Sequence, residues 1–354
     1  MPKRLFPMPS LRHLLRLTDD CGVIQHAKFW VPNYVSGYCV DDNSRALIVA
    51  CRHHRLFGDA VSHALMVRYL AFIFYVRRAD GRLRNFIDYS RNYLEDVGSP
   101  DSLGRTLWGL GHLATVDEPT LAVPAREIFH HALPHLAQED APHALAYGIL
   151  GLCAYGRRAE LREEAGRLTQ PLVDKLLGTL RDTRTHGWEW FLPILTYDNA
   201  RLPQALLLAG QLLDAAELRD AGLRSLAFLN AVCFREAVLN IVGSNGWYPR
   251  GGSCALFDQQ PIDAGCLVEA NLVAHQLTRE PEFLQAGLRA LEWFHGKNYH
   301  GTPLYHEYSG GCCDGLNAEG VNANQGAEST IAYLLAHLAL YEVMPEMFQP
   351  ALQG

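Results

Sequence analysis

The feature that most constrains this chain is a recurring pair of helical segments. Apolar residues fall at helical spacing through "SRALIVACRHHRLF", "LGRTLWGLGHLA", "HALAYGILGLCAYG", "LPQALLLAGQLLDAAEL", "GCLVEANLVAHQL" and "ESTIAYLLAHLALYEV", each rich in Gly, Ala or Leu. A segment carrying more Arg and Glu follows the first five, which predicts partner helices over about 59–77, 121–137, 158–180, 217–236 and 281–297. Candidate caps open the small-residue helices at Asp42, Asp101, Asp140, Asp198, Asp263 and Asn324, at intervals of roughly 40–65 residues. The sixth partner is missing after Ala351, and the N-terminal "SLRHLLRL" can supply it. Alternating, strand-like runs are scarce, "VLNIVG" being the best of them.

Loop placement selects the topology. The long segments rich in Gly, aromatic and acidic residues, such as "WVPNYVSGYCVD", "HGWEWFLPILTY" and "GSNGWYPRGGSCALFDQQP", all precede a helix of the first class. They therefore gather at one rim, where long loops carry function. The expected fold is an all-α, single-domain (α/α)6 barrel over residues 1–354, a toroid of six inner and six outer helices with long rim loops.

Composition narrows the partners. Hydrophobic residues make up 49% of the 354 and charged residues 19%, enough for a large core and too apolar for a disordered chain. The net charge of −7 and the lack of a basic stripe argue against nucleic acid. No stretch approaches 18 consecutive apolar residues, and the N-terminus lacks an uninterrupted apolar signal core, so neither a membrane span nor a secretory signal is expected. Nine cysteines without secretory features predict reduced thiols and a cytoplasmic setting. Adjacent Cys312 and Cys313 cannot easily chelate one tetrahedral ion even with His300 or His306 nearby, and no CxxC or HExxH occurs, so no metal and no cofactor are expected.

"DDNSRAL" at 41–47 and "YDNARLPQAL" at 197–206 repeat an Asp-Asn-small-Arg start. Aspartate there is explained by capping and by the helix dipole; arginine in a first turn is not. Arg45, Arg105 and Arg201 each follow an Asp by three or four residues, which allows local ion pairs and equally a charge-lined cavity for a polyhydroxylated ligand. "GWEWF" (Trp188, Glu189, Trp190) and "NGWYPRGG" (Trp247, Tyr248, Arg250) set flat apolar faces beside charged groups, a mixture suited to sugars. Asp41, Asp101, Tyr197, Asp258, Gln260, His306, Gln325 and Glu328 complete the candidate binding set at the rim.

Several of these stretches, "SGYCVDDNSRALIVA", "DSLGRTLWGLG", "YDNARLPQALLLAG", "GWYPRGG…FDQQPIDA" and "GVNANQGAEST", resemble the helical domains found beside or fused to bacterial glycosyltransferases, which are similar in plan to (α/α)6 carbohydrate-active enzymes. That resemblance implies an oligosaccharide or glycoside substrate, an inverting glycoside hydrolysis, and a separately encoded glycosyltransferase as a partner. The roles expected on this reading are Asp198 as general acid, its pKa raised by Trp188 and Trp190, and Asp42 or Asp263 as base, with Arg250, Glu189 and Gln260 binding sugar. Phosphorolysis, epimerisation or lyase chemistry on the same barrel, and a non-catalytic glycan-binding module, are the alternatives.

Overall fold

A computed structural model describes residues 6–234 and 238–348. Its inner helices are α2 (Val40–Phe57), α4 (Pro100–Leu113), α6 (Pro142–Tyr155), α8 (Arg201–Leu212), α10 (Pro261–Thr278) and α12 (Ala327–Val343). Each packs on the next and α12 returns to α2, closing the ring. The outer members α3 (Ala60–Val76), α5 (Pro119–Leu136), α7 (Arg162–Thr183), α9 (Ala216–Cys233) and α11 (Pro281–Phe294) each cover the inner helix before them. The short α1 (Arg12–Leu17) packs against α12, as the N-terminal assignment required. The (α/α)6 barrel is therefore the observed architecture. Of the helix expected over 217–236, Arg235 and Glu236 lie outside the described residues.

The small residues of the inner helices have a steric cause. A Cβ on Gly111 would stand 2.1 Å from the carbonyl oxygen of Gly151, and one on Gly151 would stand 2.6 Å from that of Leu107. α4 and α6 thus touch backbone to backbone, which only glycine permits. Prolines at 100, 142 and 261 open three inner helices, where a missing N–H costs no internal bond.

The helix starts differ from those expected. The N-caps are Cys39, Ser99, Ala141, Ala200, Gln260 and Gly326. Asp42, Asp101 and Asp263 lie inside the first turn, so they answer the dipole and do not cap. Asp140, Asp198 and Asn324 lie before the cap. "VLNIVG" forms no strand; its Gly243 N–H bonds the Ala255 carbonyl in the adjoining loop. Regular β structure among the described residues is confined to two-residue pairs in the rim loops, such as Ile194–Leu195 with Tyr248–Pro249.

Candidate active site at the amino-terminal mouth

The inner helices all begin at the same end, beneath the long loops. There a cavity of about 320 Å³ is lined by Asp41, Asp101, Arg105, Tyr197, Trp247, Gln260 and Glu328, with Ser99 and Ile262. The acids come from the first turns of α2, α4 and α12, and the two aromatics from loops. Trp247 is held in the left-handed conformation at φ 57°, an unfavourable state for a bulky side chain that the surrounding loop must enforce. Tyr197 stacks on His143 at 4.6 Å between ring centroids, and its hydroxyl donates to Asp101 at 2.6 Å.

The arginines reach across helices. Arg45 pairs with Asp42 in its own turn at 2.8 Å and with Glu328 of α12 at 2.9 Å. Arg105 leaves Asp101 and bridges to Asp41 at 3.2 Å and to the Tyr147 hydroxyl at 2.9 Å. Tyr147 in turn donates to Asp198 at 2.7 Å. Arg201 pairs with Asp198 at 3.2 Å and with Glu269 at 2.6 Å, and Glu269 receives Arg52 at 2.5 Å. The barrel axis is thus filled by a ladder of alternating charges, open to the cavity at Asp41 and Glu328 and buried at Asp42, Arg45, Arg105, Asp198, Arg201, Glu269 and Arg52. Such charges are tolerated inside a protein only when paired.

Burial separates the expected catalytic carboxylates from the cavity. The Asp198 side chain is only 1% exposed. Burial alone would raise its pKa, but Arg201 and then Arg105 outweigh it and hold the carboxyl below its ordinary value. The expected upward shift is therefore corrected. Its supposed cause is also misplaced: Trp188 packs edge-on against Phe228 and Tyr248, and Trp190 edge-on against Phe191 and tilted against Phe228, on the outer-helix side. Asp263 sits behind the cavity, accepting from the Asn199 side chain at 3.2 Å; burial and then the charge of Asp198 drive its pKa well up. Asp42 is buried beside Cys39, and burial, opposed by Arg45 and assisted by Glu328, pushes it to about 6.

Several expected sugar binders stand elsewhere. Glu189 pairs with Arg224 of α9 and with Arg184, and Arg250 donates to the Thr183 carbonyl, so the "GWEWF" and "WYPR" loops brace each other against the outer ring. His306 lies beside the Cys313 thiol at 3.4 Å and is exposed. The Gln325 side chain is buried and accepts from Ser309. Asp258 lines a neighbouring 210 Å³ cavity that shares Gln260 with the main one. Tyr147, Glu269 and Arg52 are the members of the axis that spacing alone did not single out as site residues. The available signal was a lone tyrosine, acid or base on the small-residue face of an inner helix.

All nine cysteines are free thiols, and no group of three potential metal ligands occurs among the described residues. Nor is any described helix long and apolar enough to cross a membrane.

No known family profile matches the chain, and no curated protein does. Solved structures do. A cellobiose 2-epimerase from Bacillus thermoamylovorans superimposes with a TM-score of 0.72 at 12% identity, covering 94% of this chain and 95% of that one. A D-mannose isomerase gives 0.72 at 12%, over 95% and 96%. An inactive variant, replaced at two neighbouring aspartates, of an alpha-1,6-mannanase of Salegentibacter sp. in complex with alpha-1,6-mannotetrose gives 0.60 at 13%, over 93% and 95%. At such identities the likeness concerns the fold, and what the chain shares with these proteins, end to end, is the (α/α)6 barrel.

Proposed function

We propose that the protein is a carbohydrate-active enzyme that moves protons on a mono- or disaccharide in the amino-terminal mouth. The observation that carries this reading is the cavity: three carboxylates from three inner helices, one guanidinium and two aromatic rings converge on a space of about 320 Å³. Rings offer faces to sugar C–H groups, while carboxylates and arginine fix hydroxyls by charge-assisted hydrogen bonds. The volume falls near the lower end of ligand pockets, about 300–1,000 Å³, which suits a small sugar better than a long glycan.

Epimerisation or isomerisation is the reaction this arrangement serves best. Asp41, kept in place by Arg105 and by the Asn85 side chain at 2.9 Å, is positioned as the base that takes a proton from the carbon next to an open-chain carbonyl. Arg105 neutralises the oxyanion of the resulting enediolate. Tyr197, hydrogen-bonded to Asp101, returns a proton to the opposite face of that carbon in an epimerisation, or to the former carbonyl carbon in an isomerisation as the hydroxyl proton passes to the other oxygen. Solvent then reprotonates Tyr197 and takes the proton from Asp41. The names of the epimerase and isomerase with the same barrel lend support.

Inverting hydrolysis is the second reading, favoured by adjacent Asp41 and Asp42. Their environments differ: Asp41 faces the cavity beside Arg105, whereas Asp42 is buried behind it and pushed to about 6, so hydrolysis through this pair requires the sugar to open Asp42 to the cavity. The mannanase made inactive at two neighbouring aspartates is consistent with it.

Incubation of free aldoses and disaccharides in D2O, followed by NMR, tests both. An epimer or ketose carrying deuterium at the exchanged carbon supports proton shuttling. New reducing ends without exchange support hydrolysis, and release only with phosphate moves the reaction to phosphorolysis. Sugar binding without turnover of any kind would sink the enzyme reading and leave a glycan-holding module, the form in which a glycosyltransferase partner becomes the natural expectation.

A further inference from the structure

The opposite end of the barrel holds a second cavity, of about 380 Å³, that the rim chemistry does not use. It is lined by the carboxyl-terminal halves of the inner helices, by Gly156 and Arg157 after α6, and by Arg162 at the start of α7. Three arginines, Arg52, Arg157 and Arg162, line it, and Arg55 stands beside it through Glu342. Two are neutralised: Arg52 is clasped by Glu342 through two bonds of 3.1 Å and by Glu269, and Arg55 pairs with Glu342 at 2.6 Å.

The other two, Arg157 and Arg162, have no carboxylate partner among the described residues. Arg162 donates only to the main-chain carbonyls of Gln211 and Leu212, at 3.2 and 3.3 Å. Arg157, just past the end of α6, lines the mouth with no hydrogen-bond acceptor for its guanidinium among the described residues. The Arg157 side chain is exposed at the mouth, where partial desolvation, then Arg55 and Arg52, press its pKa below the ordinary value with Glu342 opposing them, so it sits in an excess of positive charge. His112, buried in the same wall, is held well below its ordinary pKa by burial and then by Arg157, Arg52 and Arg55, and so adds no charge. Helix carboxyl ends attract cations, which suits Arg55 and Arg157, whereas Arg162 opens α7, where the dipole disfavours it. The dipole does not explain why Arg157 and Arg162 lack a carboxylate beside an open cavity.

We propose that this mouth binds a phosphoryl group, free or carried on a small metabolite, through Arg157 and Arg162. Guanidinium forks match phosphate oxygens in geometry and charge, and the partly enclosed wall strengthens the pairing. Exposed Gln211 and Gln276, from α8 and α10, supply neutral donors around the opening.

The test is titration of the whole protein with inorganic phosphate and, separately, with a hexose phosphate, at constant ionic strength. Heat of binding and thermal midpoint are both followed. Saturable binding that raises the midpoint is expected, because a ligand of the native state stabilises it by mass action. Arg157→Gln should weaken binding at least tenfold without lowering the ligand-free midpoint, since that side chain has no partner to lose. Gln276→Glu, which adds a negative charge at the opening, should also weaken it. Asp41→Asn, at the other mouth, should leave it unchanged, so the result is independent of whether the rim proves catalytic. A hexose phosphate binding tighter than phosphate identifies a phosphorylated metabolite as the ligand; equal affinities identify the free anion. Absence of saturable binding by either, or equal binding by wild type and Arg157→Gln, would overturn the proposal.

Discussion

The two mouths of the barrel are made by the same six helices, yet they present opposite charge. At the amino-terminal mouth the first turns supply Asp41, Asp101 and Glu328; at the carboxyl-terminal mouth Arg52, Arg157 and Arg162 line the cavity. The acids, and Arg157 just past the end of α6, follow the helix dipole, which favours an acid at the start and a base at the end by about 0.3–1 kcal/mol per group, whereas Arg162 opens α7 against it. The loops break the symmetry. Connections of two to six residues, such as Gly58–Asp59 and Arg279–Glu280, join inner to outer helices at the arginine end, whereas 238–260 and 295–326 cross the acidic end. Long loops add side chains to a pocket where short ones leave the helices as its wall, so equal helix ends yield one site elaborated by loops and one cavity walled mainly by the helices. Between them runs the buried ladder Asp198–Arg201–Glu269–Arg52, which lets the sign of charge change along the axis without an unpaired ion.

Cutting that ladder should give the largest effect. Arg201→Met leaves buried Asp198 with only the Tyr147 hydroxyl and Glu269 with Arg52 alone, and should cost about 3–5 kcal/mol in urea unfolding. A loss below about 1 kcal/mol would mean that the two mouths are held by packing alone, because a broken buried pair normally costs several times that.

Next comes a pH dependence at the acidic mouth. The folded-state pKa of Asp42 is about 6, above the ordinary 3.8, so the native state binds this proton more tightly than the unfolded chain. Its contribution is therefore most favourable below the lower value and declines as pH rises to about 6. Between pH 3.5 and 7, wild type should lose up to about 3 kcal/mol relative to Asp42→Asn. Parallel stability curves for the two proteins would show that Asp42 does not titrate in this window.

Asp41→Asn should lower turnover at least ~100-fold, about 2.7 kcal/mol, with little change in the thermal midpoint. Full turnover would remove Asp41 as the base. The smallest effect belongs to a carboxylate on the arginine side. Asp59 caps α3, accepting from the Ser62 N–H at 2.8 Å, and Asp59→Ala should cost about 1 kcal/mol and leave turnover intact. A turnover defect there would tie the second mouth to the first.

The barrel itself was legible before any coordinates. Helical periodicity, the alternation of small-residue and polar helices, and long loops on one side led to six inner and five outer helices within a few residues of those observed, with "SLRHLLRL" closing the ring. These signals survive in a linear chain because they arise from local spacing and from the steric demand of a narrow inner ring, seen at Gly111 and Gly151. Convergence of first-turn acids at one end follows from the same topology, so Asp41, Asp101 and Glu328 could be anticipated as a group.

Depth and partnership could not. Asp198 and Asp101 read alike in sequence, but one is buried under two arginines and the other opens on the cavity. Arg105 sits four residues after Asp101 and still chooses Asp41, because its side chain extends toward the neighbouring helix α2. Tryptophans of "GWEWF" look like sugar platforms and instead seal the outer ring, since large rings gain most from full burial. Sequence determined which helices form and which ends meet; only the tertiary structure decided which charges are buried, which pair across helices, and which stay open to a ligand. The physical reason is that periodicity is a property of neighbours along the chain, whereas desolvation and pairing depend on atoms brought together from more than 200 residues apart, as Arg45 and Glu328 are.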